Sequence, residues 1–142
     1  MADQSVIETF KAQISAVVTE RDLDLFSTLI SPGCVFRDIV ESEPRVGRDK
    51  FREYLSGFLN DLNDIKYEYV SLFCEGEFVA AEIDVDTLYT GEGAEPGGTR
   101  VTIRYCIVDQ IRDGLVQRET VYWDPEQLAR QLPATTDSGG TA

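Results

Sequence analysis

Asp38 ends a short extended segment, Cys34 to Asp38, with Phe36 two residues before it and Ile39 directly after it. A carboxylate among apolar neighbours is poorly hydrated and takes up a proton more readily, which is what a general base requires. The competing role for an aspartate at such a place is to cap a loop. Tyr54, Tyr105, Tyr122 and Trp123 carry donors that can reach into a pocket, although large aromatic residues more often build core. The chain has no histidine, no CxxC pair and no phosphate-binding glycine loop. Cys34, Cys74 and Cys106 stand 40 and 32 residues apart, a spacing that makes neither a zinc site nor a disulfide framework. Any proton chemistry therefore falls to carboxylates and tyrosines, and no cofactor or metal is expected.

These groups need elements to hold them. Ser5-Val6-Ile7-Glu8 reads as a capping box, and Val6, Ile7, Phe10, Ile14, Val17 and Val18 follow at helical spacing, predicting a first helix to about Thr19. Asp22 predicts the cap of a second, with Leu23, Phe26, Leu29 and Ile30 on one face until Pro32-Gly33. After the polar loop Glu41 to Arg45, Gly47 opens a third, whose stripe is Phe51, Tyr54, Leu55, Phe58 and Leu59.

From Asp64 the period changes to two, which predicts strands near 65–74, 78–89, 100–111 and 115–123 in an antiparallel meander. Glu75-Gly76 and Asp113-Gly114 suit tight hairpins, and Thr90 to Gly98 forms a longer loop. Asp124-Pro125-Glu126-Gln127 provides a cap, a proline at the first helical position and a capping glutamine for a short helix through Gln131. The expectation is an α+β fold: a curved antiparallel sheet closed into a cone by three N-terminal helices, with a short C-terminal helix and an internal cavity. Residues 1–133 are expected to form one domain and 134–142 a disordered tail.

Along the second long strand Glu82, Asp84 and Asp86 alternate with Val79, Ala81, Ile83 and Val85, and on the next Arg100 and Arg104 alternate with Val101, Ile103, Tyr105 and Ile107. The simplest reading is a charge-paired outer face and an apolar inner one. The sharper alternative makes Asp84 and Asp86 active-site acids.

Thirteen basic against twenty-six acidic residues give a net charge of −13, which repels nucleic-acid backbones and anionic membranes, so neither is an expected partner. With 42% apolar and 27% charged residues, the chain can bury a core unaided. Asp3 and Glu8 lie where a signal peptide would be apolar, and a cytoplasmic location is expected.

The stretch Ile14 to Leu59 resembles the ketosteroid isomerases through Asp22-Leu23-Asp24, Asp38, Ser42-Glu43-Pro44-Arg45, Gly47 and Arg52-Glu53. Gly114-Leu115-Val116 with Tyr122-Trp123-Asp124-Pro125 resembles the ending of SnoaL-like polyketide cyclases and limonene epoxide hydrolases, all of the nuclear transport factor two-like superfamily. The resemblance implies a hydrophobic pocket, a homodimer through the sheet and Asp38 as the general base. It also marks departures. Ile14 stands where the isomerases carry a tyrosine, and no carboxylate lies in Cys106 to Val108, where their strand acid falls. Val121 stands where the hydrolases carry their second aspartate, and Glu119, two residues earlier on the same face, is the candidate partner of Asp38.

The leading expectation is a cofactor-independent isomerase or cyclase acting on a hydrophobic small molecule of polyketide type. The alternatives are an epoxide hydrolase, with Asp38, Glu119 or the Asp84 and Asp86 pair activating water, and a non-catalytic ligand-binding or oligomerisation module. Catalytic candidates are Asp38 and Glu119; pocket-lining candidates are Ile14, Phe26, Phe36, Tyr54, Phe58, Tyr105, Tyr122 and Trp123.

Overall fold

In the computed structural model, which describes residues 2–133, the period-two stretches form four long strands: β3 (Leu62–Glu75), β4 (Phe78–Tyr89), β5 (Thr99–Arg112) and β6 (Leu115–Tyr122). They make the expected antiparallel meander. Asp113 and Gly114 both take positive φ, 54° and 74°, the backbone that a two-residue hairpin needs between right-twisted strands.

The sheet does not end there. β1 (Ile30–Asp38) lies parallel to β6, and the two-residue β2 (Arg45–Val46) lies antiparallel to β1, giving six strands in the order β2-β1-β6-β5-β4-β3. The sheet is thus mixed rather than wholly antiparallel. This also shortens the second helix: α2 spans only Leu23–Ser27, capped by Asp22 through Leu25 N at 3.0 Å. Leu29 and Ile30 leave the helix because the edge of β6 needs a partner, and Val116 N donates to Leu29 O at 2.8 Å. Pro32, which has no N–H to give, sits where the β1–β6 register shifts between Ile30 and Val35.

α1 (Ala2–Val18) begins before the expected capping box, so Ser5 and Glu8 lie inside the helix instead of closing its end. α1 and α3 (Arg48–Asp61) cover the inner face. Phe10, Phe26, Phe36 and Phe51 are fully buried there, with Phe36 stacked on Phe51 at 4.2 Å between centroids and Phe26 edge-on to Phe51 at 5.0 Å. On the outer face Arg104 pairs with Asp84 at 2.6 Å and Arg100 with Asp86 at 2.6 Å. Farther along the same face Phe73 and Phe78 are 65% and 53% exposed, so one half is charged and the other apolar.

α4 (Pro125–Ala129) packs beside β5. Asp124 caps it through Glu126 N, but Gln127 does not cap. β6 stops opposite Cys106, which leaves the first half of β5 without a strand on that side. Two glutamine side chains take the strand's place: Gln127 Oε1 accepts from Arg104 N at 2.9 Å, Gln131 Oε1 accepts from Thr102 N at 2.9 Å, and Gln131 Nε2 donates to Thr102 O at 2.7 Å. An edge that would otherwise invite another chain is covered in this way. Gln131→Ala removes two of the three bonds and is expected to cost about 1–2 kcal/mol. Urea denaturation reads the loss, and amide exchange at Thr102 should quicken while that at Val85 in the core stays slow. The expected disordered tail at 134–142 lies outside the described residues.

Candidate active site

Parallel pairing of β1 with β6 sets Phe36 beside Glu119 and Asp38 beside Val121. Asp38 and Glu119 therefore leave the same face of neighbouring strands, two residues apart along them. Strand rise and spacing put their Cα atoms on the order of 8 Å apart.

Asp38 is only 4% exposed. Its Oδ2 accepts from Tyr54 Oη at 2.6 Å, and its Oδ1 from Trp123 Nε1 at 3.0 Å and from Val40 N at 3.1 Å. All three partners are donors, which suits a carboxylate. Tyr54 comes from the apolar stripe of α3, and Trp123 directly follows β6. Burial, then the hydrogen bond to Asp38, pushes the Tyr54 phenol well above its ordinary range, so it stays a neutral hydroxyl. Burial and the nearby Asp38 charge do the same to Tyr105.

An apolar cavity of about 70 Å³ lies between the helices and the inner face. Of the expected lining residues, Ile14, Phe36, Tyr54, Phe58 and Tyr105 line it, together with Glu119. Asp38 does not reach its wall and meets it through Tyr54. Trp123 instead lines an outer cleft of about 310 Å³ below α4, which shares Tyr54, Phe58 and Tyr105 with the inner cavity. Two expectations are corrected. Phe26 is packed into the core between α2 and α3, and Tyr122 is 44% exposed on the outer face, because alternation along β6 turns it away from the helices.

Glu119, a sequence-based candidate, belongs on the cavity wall to a cluster whose other two members, Gln13 and Asp109, were not among the candidates. Gln13 Nε2 lies 3.0 Å from Asp109 Oδ2 and 3.1 Å from Glu119 Oε1, and Asp109 and Glu119 face each other across β5 and β6. Burial is the main cause that raises the pKa of both, and the Glu119 charge adds to it at Asp109. Asp109 Oδ1 and Tyr69 Oη accept or donate no hydrogen bond among the described residues. The alternation Val101, Ile103, Tyr105, Ile107 continues to Asp109, which was the available signal: the acid absent from Cys106 to Val108 stands one residue farther on. Gln13, in turn, interrupts the apolar face of α1 between Phe10 and Val17.

Asp84 and Asp86 are held by Arg104 and Arg100 outside the sheet and do not converge with Asp38 or Glu119. Among the described residues no group of three or more acidic, cysteine or histidine side chains is placed to hold a metal ion. Burial, with the Glu119 and Asp109 charges, pushes the Cys34 thiol up to about 12. Cys34 is thus expected to resist alkylation at pH 8 until the protein unfolds, as peptide mass analysis after labelling would show.

Residues 11–119 match the SnoaL-like domain family. The chain belongs to that family. Solved structures agree with this SnoaL-like assignment in fold. A Xanthomonas campestris pv. campestris protein named as a polyketide cyclase is 19% identical, with a TM-score of 0.77 over 94% of this chain and 100% of that one. One from Silicibacter sp. TM1040, similarly named, is 23% identical, with a TM-score of 0.76 over 94% and 99%. An LEH-like epoxide hydrolase from M. tuberculosis is 16% identical, with a TM-score of 0.73 over 92% and 90%. No curated protein matches the sequence. Among the described residues of this SnoaL-like chain, no helix is long and apolar enough to cross a membrane.

Proposed function

We propose that the protein is a cofactor-independent acid–base enzyme, an isomerase or cyclase, acting on a hydrophobic small molecule of polyketide type, with Asp38 as its base. The observation that carries this reading is the 2.6 Å contact between Asp38 Oδ2 and Tyr54 Oη, with Tyr54 on the cavity wall. A proton α to a substrate carbonyl passes to Tyr54 Oη as the phenolic proton passes to Asp38, and the C–H electron pair remains on the substrate as an enolate. Returning the proton at another carbon isomerises the substrate; attack of the enolate carbon on a second carbonyl breaks its π bond and closes a ring, and the alkoxide formed takes a proton from Tyr54 as Asp38 returns its own to Tyr54. An open cavity beside Tyr54, where a purely structural module would be filled, favours catalysis. The names of the two cyclase-like neighbours support the substrate class.

Tyr54→Phe keeps the ring that packs against Phe36 at 4.5 Å and removes the relay. Exchange of α-protons of cyclic and open-chain β-diketones into deuterated water is expected to slow by about a hundredfold or more, without loss of folding. Exchange at the wild-type rate would remove Tyr54 from the reaction. A second reading, epoxide opening, is favoured only by the acid pair Asp109 and Glu119, and hydrolysis of a cyclic epoxide with the Glu119→Gln control tests it. We further propose that the protein works in the cytoplasm as a homodimer of one-domain chains, joined through the apolar half of the outer sheet face around Phe73 and Phe78; sedimentation would show it.

A further inference from the structure

Two carboxyl groups opposite each other in a dry interior cannot both be ionised without a cation between them. Asp109 and Glu119 have none: among the described residues no arginine or lysine side chain hydrogen-bonds to either, and no basic residue lines the cavity. What faces the pair is neutral, namely Gln13 from α1, Cys34 from β1 and Tyr69 from β3. One proton held between the carboxyls relieves the repulsion and leaves the pair a single negative charge. The two hydrogens of the Gln13 amide fork across it, one to each acid, and orient both.

Of the two acids only Glu119 reaches the cavity wall, next to Gln13; Asp109 is fully buried behind it, with Oδ1 accepting no hydrogen bond among the described residues. Apart from Glu119 and Gln13 the wall is apolar or aromatic, with Phe36 standing beside Glu119 in the sheet. We propose that the Gln13–Asp109–Glu119 cluster is a specificity subsite in which Glu119 anchors a hydroxyl or amino group of the bound molecule and excludes a carboxylate or phosphate. This narrows the substrate class of the reading above and rests on that reading for its catalytic meaning. The bound molecule is an alcohol, enol or amine with an apolar body, entering with its donor toward α1 and its reacting carbon toward Tyr54. An acidic ligand would bring a second negative charge to a site that already holds one, in surroundings where charge is poorly screened.

Three probes with one ring and different head groups test this: cyclohexanol, cyclohexylamine and cyclohexanecarboxylate. Their binding to the full chain is followed by the fluorescence of Trp123, the only tryptophan, whose ring lies 5.8 Å from that of Tyr105. The alcohol and the amine are expected to bind at least about tenfold more tightly than the carboxylate. Glu119→Gln is expected to weaken the amine about tenfold and to bring the carboxylate within about threefold of the alcohol. The carboxylate binding as tightly as the alcohol, an unchanged ranking in Glu119→Gln, or no binding by any probe overturns the subsite. Asp38→Asn serves as the separating control. If that variant loses proton exchange but keeps the ranking, subsite and base stand apart; if the ranking fails while exchange still depends on Asp38, only the subsite falls.

Discussion

Asp38→Asn is expected to lower turnover by on the order of a thousandfold while the protein stays folded. The amide is the same shape as the carboxylate but takes up no proton, so the relay from Tyr54 has no terminus. Folding survives because the partners can adjust. With the oxygen of the new amide placed toward Trp123 Nε1 and Val40 N, its nitrogen faces Tyr54 Oη, and that hydroxyl rotates to accept where it had donated. The exchange costs about 1 kcal/mol, well within the stability of a domain of this size. Proton exchange into deuterated water and urea denaturation, run on the same preparation, check both halves. Wild-type exchange in this variant would remove Asp38 from the chemistry.

The second large effect is on stability against pH, and it comes from the buried acid pair. Burial holds the pKa of both Asp109 and Glu119 above the ordinary carboxylate values of 3.8 and 4.5. Above those values the folded chain therefore retains a proton that the unfolded chain has released. Stability contributed by that proton is fully present below the unfolded values and is lost as pH rises toward the folded ones. The loss is about 1.4 kcal/mol per pH unit for each retained proton. Denaturant midpoints are thus expected to fall from pH 5 upward, opposite in sign to the surface acid Glu77, whose two hydrogen bonds from Arg112 and one from Gln110 hold its pKa down at about 2. In Asp109→Asn the amide donates to Glu119 as the protonated acid did, and the decline with pH should flatten. A midpoint that rises between pH 5 and pH 8 in the wild type would show that the pair is fully ionised in the folded protein.

Much of this arrangement was legible in residue order. Alternation along β4 and β5 distinguished the inner apolar face from the outer charged one and put arginines within reach of acids; which pairs form depends on the register, with Arg104 opposite Asp84 and Arg100, opposite Leu88, reaching Asp86 diagonally. Asp22 and Asp124 cap as their positions suggest. Asp38 stood out because its carboxylate ends an extended segment between the apolar Phe36 and Ile39. Other signals were misleading for identifiable reasons. The Ser5–Glu8 box matches a local pattern, but the burial of Val6 and Phe10 is served equally well by a helix that starts earlier. Leu29 and Ile30 fit a helical face, yet a ladder bond to β6 outweighs one more turn of helix.

The site divides along the same line. Residue order alone settles most of which residues belong to strands and helices, which face of each is apolar, and that any acid–base work in a histidine-free chain falls to carboxylates and tyrosines. Those are properties of composition and of periods of 2 and 3.6, which every short stretch carries within itself. It took the packed sheet to lay β1 parallel to β6, and so to set Asp38 and Glu119 on one face. Nor could residue order show that Tyr54 stands between Asp38 and the cavity, or that Gln13 bridges Asp109 and Glu119 across 96 and 106 residues. Contacts at such separations follow from how the sheet curves under α1 and α3, and no local period encodes that curvature.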